Sequence, residues 1–305
     1  GRQGRVSVGR VSVADPVIEG FFDEGTNTVS YLLGDPATHQ AAIIDPVLDF
    51  DHRTGDAATK SADRVLDAAK EGGWTIVRCL ETHVHADHLS GAPYIKQKTG
   101  APVGIGARVR EVQRIFRPVF NLTDVSGDGS EFDELYDDGA RLSVGTLSVR
   151  VMQTPGHTPA CATYVVDVGN RAYAAFVGDT LFMPDFGTAR ADFPGGCAGQ
   201  LFRSIQRILA LPPETKLFMC HDYKAPGRDR FAWETTVAEE REANVHVRQG
   251  TTEEAFVAMR QARDAKLAAP LLLLPSIQVN VRAGRLPEAE SNGVRYLKLP
   301  VKLPG

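Results

Sequence analysis

The seven-residue stretch Thr82-His83-Val84-His85-Ala86-Asp87-His88 is the most informative part of the sequence. It follows a strand-like apolar run at 75–80 and precedes a segment with helix-like spacing of apolar residues. Two imidazoles two residues apart in an extended segment point the same way, and a carboxylate and a third imidazole follow at the turn into the next helix. This spacing indicates a metal centre.

Four more strand-like runs end in a residue that can bind a metal. These residues are Asp45, His157 in the turn Thr154-Pro155-Gly156-His157, Asp179 after Gly178, and His221 after Cys220. The carboxyl ends of neighbouring strands meet at one edge of a sheet, where loops are shaped into sites. We therefore expect all five strand ends to converge on one cavity. His221 either binds a second metal or hydrogen-bonds the ligands of the first.

Apolar runs and helix-like segments alternate along the chain. Strands are predicted at 41–44, 75–80, 147–152, 162–168, 172–177 and 216–219, and at 276–281 from alternating residues. Helices are predicted at 62–70, 89–98, 109–116, 200–210 and 252–267. The fold class is therefore α/β or α+β.

Composition excludes several classes of function. With 34 Lys and Arg against 38 Asp and Glu, the formal charge is −4, and no dense basic stretch is present to bind nucleic acid. No apolar segment approaches the roughly 20 residues that span a bilayer. Residues 1–16 lack the continuous apolar stretch of a secretory signal. The four cysteines have no CxxC spacing, so we expect a reducing, cytoplasmic environment.

The type and order of these residues resemble the metal-binding pattern of the metallo-β-lactamase superfamily. In this chain the pattern consists of His83, His85, Asp87 and His88, followed by His157, Asp179 and His221. The resemblance covers about residues 15–270 and implies an αβ/βα four-layer sandwich with its site at one edge of two packed sheets. Residues 271–305 are expected to form a C-terminal extension packed on the same domain. The fold alone does not specify a reaction.

Two segments narrow the resemblance. The segment 178–196, which contains Gly187-Thr188-Ala189-Arg190, and the tail segment 274–284 are similar to the bacterial variant of the persulfide dioxygenases. That resemblance implies one Fe(II) per chain, held by His83, His157 and Asp179. Two imidazoles and one carboxylate leave coordination positions open, as in non-haem iron oxygenases.

The same resemblance implies a substrate and roles for the remaining residues. The expected reaction is oxidation of glutathione persulfide by O2 and water to sulfite and glutathione, in the detoxification of sulfide and sulfane sulfur. The residues expected to orient the ligands or support catalysis without binding iron are His85, Asp87, His88, His221 and Tyr223.

Glutathione carries two carboxylates, so cations near the site are candidate partners. Arg190 is the first candidate, followed by Tyr223, Lys224 and Arg228, because all four lie in or just after ligand-bearing loops. Asp192 either joins the substrate site or pairs with Arg190 and fixes the loop. An edge strand in the tail would suit a homodimer.

Two other classes compete with this interpretation. One is a binuclear thioester hydrolase of the glyoxalase II type, for which all seven ligand-type residues are present. The other is a non-catalytic sensor or scaffold, which the intact ligand set disfavours. The sequence leaves open which metal is bound and which low-molecular-weight persulfide is the substrate.

Overall fold

The computed structural model describes residues 14–305, so the prediction about residues 1–16 falls almost wholly outside the described chain. Within 14–305 the strands are β1 (Val17–Asp23), β2 (Thr28–Asp35), β3 (Gln40–Ile44), β4 (Val47–Asp51), β5 (Asp56–Ala58), β6 (Thr75–Leu80), β7 (Leu89–Ser90), β8 (Val103–Gly106), β9 (Glu134–Tyr136), β10 (Arg141–Val144), β11 (Leu147–Gln153), β12 (Ala162–Val168), β13 (Arg171–Phe176), β14 (Lys216–Phe218) and β15 (Glu234–Thr236). The helices are α1 (Lys60–Glu71), α2 (Ala92–Thr99), α3 (Val109–Phe120), α4 (Ala198–Leu209), α5 (Val237–Ala243), α6 (Glu253–Asp264) and α7 (Leu273–Asn280).

Two six-stranded sheets organise the chain. The first has the order β1-β2-β3-β6-β8-β9 and the second β10-β11-β12-β13-β14-β15, while β5-β4-β7 form a small separate sheet. Both large sheets contain parallel pairs: β3 with β6, β6 with β8 and β8 with β9 in the first, and β13 with β14 in the second. The carboxyl ends of these paired strands therefore point to the same edge of their sheet.

Neighbouring residues of one strand face different layers of the core, because side chains alternate across a strand. Tyr31 and Leu33 pack between the two sheets against side chains such as Phe176. Leu32, between them in sequence, belongs to a cluster with side chains of α1, α2 and α3. A third cluster joins the outer face of the second sheet to α4, α5 and α6. The order of layers is helices, sheet, sheet, helices, which confirms the expected four-layer sandwich.

The predicted strands before residue 220 all form, with bounds shifted by a residue at most, but one predicted strand was wrong and three predicted helices have an end shifted by three or four residues. Residues 276–281 are not a strand, because α7 occupies Leu273–Asn280. Five consecutive residues, Ser276–Asn280, are buried there. The alternation of polar and apolar residues reflects buried polar side chains, not an exposed face. The second helix begins at Ala92 rather than at 89, because Leu89 and Ser90 pair with β4.

Across residues 14–305, no helical segment has both the length and the apolar character that a membrane span requires.

Candidate metal centre

Five strand ends deliver donor side chains to one edge of the sandwich. Asp45 follows β3, His83 follows β6, His157 follows β11, Asp179 follows β13 and His221 follows β14. As expected from the sequence, these ends meet. The ring centroids of His83 and His157 are 5.3 Å apart, and His221 Nε2 lies 3.1 Å from Asp179 Oδ1.

Two glycines shape the turns that carry His157 and Asp179. Gly156 has a φ of +145°, and a Cβ placed there would lie 2.3 Å from the Leu201 Cα atom. Gly178 has a φ of +56°. Both backbone conformations strongly favour glycine. The Pro-Gly-His and Gly-Asp sequences are therefore required by the path of the chain into the site.

His83 presents a free nitrogen to the centre because its other nitrogen is fixed. The Thr82 hydroxyl donates to Asp45 Oδ2 at 2.7 Å and lies 2.9 Å from His83 Nδ1. With its proton committed to Asp45, the hydroxyl can only accept from His83, so Nδ1 carries the imidazole hydrogen. His83 Nε2 is left with a lone pair for a ligand.

Three more imidazoles are oriented in the same way by backbone carbonyls. His157 Nδ1 donates to the carbonyl of Arg190 at 2.8 Å, His88 Nδ1 to that of Leu89 at 3.0 Å, and His221 Nδ1 to that of Asn27 at 3.1 Å. A carbonyl only accepts, so in the neutral imidazole each Nε2 is free of hydrogen. Such hydrogen bonds to the outer nitrogen are typical of metal-binding histidines.

His85 is held by two carboxylates at Nε2, the nitrogen that the other four histidines turn toward the centre. Its Nε2 lies 2.9 Å from Asp45 Oδ1 and 3.2 Å from Glu81 Oε2, and all three side chains are buried. Burial disfavours its charged form, but Asp45 and Glu81 raise the pKa of His85 well above its usual value. Only Nδ1 of His85 faces the centre.

The donor atoms of this cluster are buried and unpaired, so they fit a metal. Within residues 14–305, seven buried side-chain nitrogen or oxygen atoms have no hydrogen-bond partner, and six of them belong to the cluster. They are His83 Nε2, His85 Nδ1, Asp87 Oδ2, His88 Nε2, Asp179 Oδ1 and His221 Nε2. Native proteins leave few buried polar atoms unpaired, so this concentration of unpaired donor atoms fits the binding of metal.

The two oxygens of Asp179 divide the cluster into two parts. Oδ2 lies 3.4 Å from His83 Nε2 and 3.2 Å from His157 Nε2, while Oδ1 lies 3.1 Å from His221 Nε2. His221 Nε2 is also 3.1 Å from Asp87 Oδ2. His83, His157 and Asp179 offer ligand atoms that are all within 4.8 Å of one another. Four groups in the described chain reach this spacing; one of the others joins His85, Asp87 and His88, and none joins Asp87, His88 and His221.

Charge is distributed unevenly over the metal-free cluster. Burial disfavours the Asp179 carboxylate, but His221 and His83 hold its pKa well below the usual range. Burial also opposes the charged form of His221, yet Asp179 and Asp87 raise its pKa to about 9. Burial lowers the pKa of His88 to about 4. A metal entering the centre therefore meets an ionised carboxylate and some imidazoles that must first release a proton.

A cavity of about 1040 Å³ leads from this cluster to the surface. Its inner end is formed by Asp87, His157 and Asp179. Its walls are largely apolar and come from Phe182, Phe186, Phe193, Leu267, Leu271 and Leu272. An apolar cleft of this size with a few polar groups at one end is typical of small-molecule sites.

The residues predicted to bind substrate are mostly engaged with other groups. Arg190 lines the cavity, but its Nε and Nη2 pair with Asp192 at 2.7 and 2.9 Å and its Nη1 donates to the carbonyl of Ala268. Arg228 is clamped between Asp185 and Asp222. The Lys224 ammonium lies 4.4 Å from the centroid of the Phe231 ring. Asp192, Lys224 and Arg228 are not among the residues that line the cavity.

Tyr223 lines the cavity, and its ring stacks against that of His221 with centroids 5.8 Å apart. Together with Phe182 and Phe186 it forms an aromatic group over the His221 side of the cluster.

Several residues of the site carry no metal-binding pattern in the sequence. Thr82 and Glu81 orient His83 and His85, as described above, and Asp45 serves both. Asn280 reaches the same loop from α7. Thr82 and Glu81 lie within four residues of the histidines they orient but belong to no distinctive pattern, and Asn280 acts across the length of the chain. Only Asp45, at the end of an apolar run, had a local signal.

The fold and the cluster of metal-binding side chains together define a family. The model of the metallo-β-lactamase superfamily matches residues 23–221, and the chain belongs to this superfamily. The match ends at His221, the last of the donor residues, so α5, α6 and α7 lie outside it.

Known relatives differ widely in their identity to the chain. The chain is 56% identical to a probable metallo-hydrolase of Burkholderia pseudomallei, covering 93% of this chain and 98% of that protein. It is 45% identical to Glyoxylase B2 of Dictyostelium discoideum, over 93% and 96% of the two chains. It is 29% identical to the mitochondrial persulfide dioxygenase ETHE1 of Bos taurus, over 72% and 73%. It spans 66% of the length of the beta-lactamase hydrolase-like protein of Agrobacterium fabrum.

Among solved structures, ETHE1 from Myxococcus xanthus superposes with a TM-score of 0.70 and 30% identity, covering 88% of this chain and all of that one. The similarity therefore extends over most of the fold and is not confined to the metal-binding loops.

Proposed function

We propose that this chain is a persulfide dioxygenase that oxidises glutathione persulfide with dioxygen and water to sulfite and glutathione. The observation that carries the proposal is the compact group of His83, His157 and Asp179, whose ligand atoms lie within 4.8 Å of one another. Two imidazoles and one carboxylate are the ligand set of non-haem iron(II) oxygenases. The similarity to the ETHE1 proteins supports the same interpretation.

The group His83, His157 and Asp179 would hold one Fe(II). An iron(II) ion with this ligand set supplies open coordination positions and the redox chemistry that oxygenases need. The protein's own part is orientation. Thr82 and the Arg190 carbonyl fix the imidazoles of His83 and His157 so that their free nitrogens face Asp179.

The cavity walls would control what reaches the sulfur. Phe182, Phe186 and Phe193 line the approach with apolar surface, which excludes water from a reactive sulfur anion. His85 would stay outside the ligand set, because it is not part of the compact group of His83, His157 and Asp179. His221 lies between the Asp87 and Asp179 carboxylates and would keep Asp179 oriented.

A second candidate function is a binuclear thioester hydrolase. Five imidazoles and two carboxylates are enough for two metal ions sharing Asp179. Two metals bridged in this way supply the activation of water that hydrolases use. Glyoxylase B2 and the Burkholderia metallo-hydrolase are more similar to the chain than the ETHE1 proteins are, and identity alone favours this candidate.

Metal content and turnover separate the two candidates. Protein loaded with iron under anaerobic conditions is analysed for metal and then tested with glutathione persulfide and, separately, with S-lactoylglutathione. One iron per chain with oxygen uptake and release of sulfite supports the dioxygenase. Two metals per chain with thioester hydrolysis and no oxygen uptake contradicts it and favours the hydrolase.

A further inference from the structure

The hydrogen bond that orients His157 continues through the peptide group that accepts it. His157 Nδ1 donates to the carbonyl of Arg190 at 2.8 Å. The nitrogen of the same peptide group belongs to Ala191, and it donates to Asp264 Oδ2 at 3.0 Å. A single peptide group therefore joins the imidazole to a carboxylate at the end of α6.

The carboxylate of Asp264 is buried and held in place. Its Oδ1 accepts from Arg260 Nε at 2.7 Å, and Asp264 and Arg260 are 5% and 2% exposed. Arg260 Nη1 donates in turn to the Thr188 carbonyl at 2.8 Å. A buried ion pair is weak evidence for stability, because the cost of desolvation can exceed the attraction. Its place behind the loop that orients His157 points instead to a role in the site.

A carboxylate in this position changes the imidazole at the other end of the peptide group. A negative charge that accepts from the amide N–H polarises the group and makes its carbonyl oxygen more negative, since hydrogen bonds in a chain strengthen one another. The Arg190 carbonyl then accepts more strongly from His157 Nδ1. The free Nε2 becomes a better metal ligand, as it does when a carboxylate binds a ligand histidine directly.

His88 offers a comparison within the same cluster. Its Nδ1 donates to the Leu89 carbonyl at 3.0 Å. The N–H of that peptide group belongs to Ser90 and donates to Asn280 Oδ1 at 2.9 Å. The order of the groups is the same, but this chain of hydrogen bonds ends on a neutral amide. His157 therefore has a negative charge behind it that His88 does not receive in this way.

We infer that Asp264 strengthens His157 as a metal ligand, acting through the peptide group between Arg190 and Ala191. The effect favours an ion beside His157 over one beside His88. The inference rests on the proposed function in taking His157 as a ligand. Asp264 lies outside residues 23–221, so the part of the chain that matches the superfamily model does not contain it.

Zinc affinity tests the inference without turnover, because imidazole and carboxylate also bind zinc(II). Competition with a chelator measures the Kd of the first zinc ion. Asp264→Asn should raise this Kd about tenfold, the lower end for residues that orient metal ligands. Arg260→Gln breaks the same ion pair but keeps the carboxylate that accepts from Ala191. Its amide can donate to Asp264 from the position of the Arg260 Nε, so the Kd should rise less than about threefold.

Asp167→Asn is the matched control. Asp167 is a mostly buried carboxylate on β12 that pairs with Arg150, and it does not line the cavity. It lies at the end of β12 away from Ala162, where the strand leaves the metal centre. Its substitution should leave the zinc Kd unchanged.

A second readout follows the hydrogen bond itself. In zinc-loaded protein with isotope-labelled histidine, NMR detects the Nδ1 protons of the oriented imidazoles, and the position of each signal reports the strength of its hydrogen bond. Asp264→Asn should move the His157 signal to that of a weaker hydrogen bond. The His88 signal is the internal control and should not move.

Two results would overturn the inference. One is an equal rise in Kd for Asp264→Asn and Arg260→Gln, because an ion pair that only holds the loop fails when either partner is lost. The other is an unchanged His157 signal in Asp264→Asn. If Asp264→Asn does not fold, because Arg260 is then buried without its anion, the double variant Arg260→Gln/Asp264→Asn removes both charges. It is compared with Arg260→Gln by the same two measurements.

The two proposals fail in different ways. If zinc affinity depends on Asp264 as expected but glutathione persulfide causes no oxygen uptake, the role of Asp264 stands and the dioxygenase proposal falls. If oxygen uptake occurs and Asp264→Asn binds zinc as tightly as the wild type, the reaction stands and the role of Asp264 falls.

Discussion

The side-chain amide of Asn280 lies 2.8 Å from the carbonyl oxygen of His88, to which it donates across 192 residues of sequence. The same amide donates to the carbonyl of His85, and its Oδ1 accepts from the backbone of Ser90. Asn280 is buried in α7, outside the part of the chain that matches the superfamily model. The loop that carries three of the five histidines of the metal centre is thus held in shape by the C-terminal segment.

Asn280→Ala is expected to lower both stability and metal affinity. It leaves two carbonyls and one amide of the metal loop unpaired, and each buried group left unpaired costs about 1–3 kcal/mol. Gln278→Ala is the control, because Gln278 is also buried and makes three hydrogen bonds, two of them to the backbone of Lys298. Urea unfolding should show that both variants are destabilised. Competition with a chelator should show weaker metal binding only in Asn280→Ala; equal affinity in the two variants would contradict the role given to Asn280.

Asp179→Ala and His85→Ala are expected to differ in metal content. Asp179 is the carboxylate of the compact group, and its loss should leave less than about one tenth of the wild-type iron, since two imidazoles alone bind weakly. His85→Ala should keep about one iron per chain, because His85 lies outside the proposed ligand set. Elemental analysis after gel filtration measures both.

His85→Ala should also lose stability, by about 3 kcal/mol or more, because Asp45 and Glu81 are then buried without their cation. Chemical denaturation measures this loss separately from the metal. Equal loss of iron in the two variants would rule out the single-iron assignment and favour two metals.

The convergence of the metal ligands could be predicted because each signal is local. An apolar run followed at once by Asp45 or His221 specifies both a strand and a donor at its end. The order of the layers then follows from the alternation of residues such as Leu32 and Leu33 between two cores.

The remaining parts of the site depend on contacts that no local pattern encodes. The alternation of residues predicts Gln278 and Asn280 as polar positions of a strand. Both are instead buried in a helix and donate hydrogen bonds to backbone carbonyls that are distant in sequence. Arg228 follows a ligand-bearing loop in sequence, but Asp185 and Asp222 neutralise its charge.

Arg190→Ala and Asp192→Ala are expected to lower kcat/KM by similar factors, and the double variant should be no worse than either. The two side chains form one bidentate pair, and the Arg190 carbonyl orients His157, so both substitutions loosen the same loop. We expect about a tenfold loss for each, and residues that act as a unit have non-additive effects. Steady-state kinetics measures all three variants. A much larger rise in KM for Arg190→Ala than for Asp192→Ala would instead indicate direct contact between Arg190 and the substrate.

The metal-free protein is expected to lose stability as the pH rises from about 6.5 to about 9. Burial opposes the charged form of His221, but Asp179 and Asp87 raise its folded pKa to about 9, against about 6.5 in an unfolded chain. The stabilisation is complete below about pH 6.5, where both states are protonated, and it is lost as the pH passes through the folded pKa.

Calorimetry after removal of metal with a chelator should therefore show Tm falling between about pH 6.5 and 9, with a loss on the order of a few kcal/mol in the free energy of unfolding. His88, whose pKa burial lowers to about 4, affects stability only at lower pH. His221→Gln should reduce the slope in this window without removing it, because, against the effect of burial, Asp45 raises the pKa of His85 and Asp179 raises that of His157. Metal-loaded protein should be less sensitive to pH there, because its imidazoles bind the ion in place of a proton. A Tm of metal-free protein that rises with pH would mean that His221 is neutral between its two carboxylates.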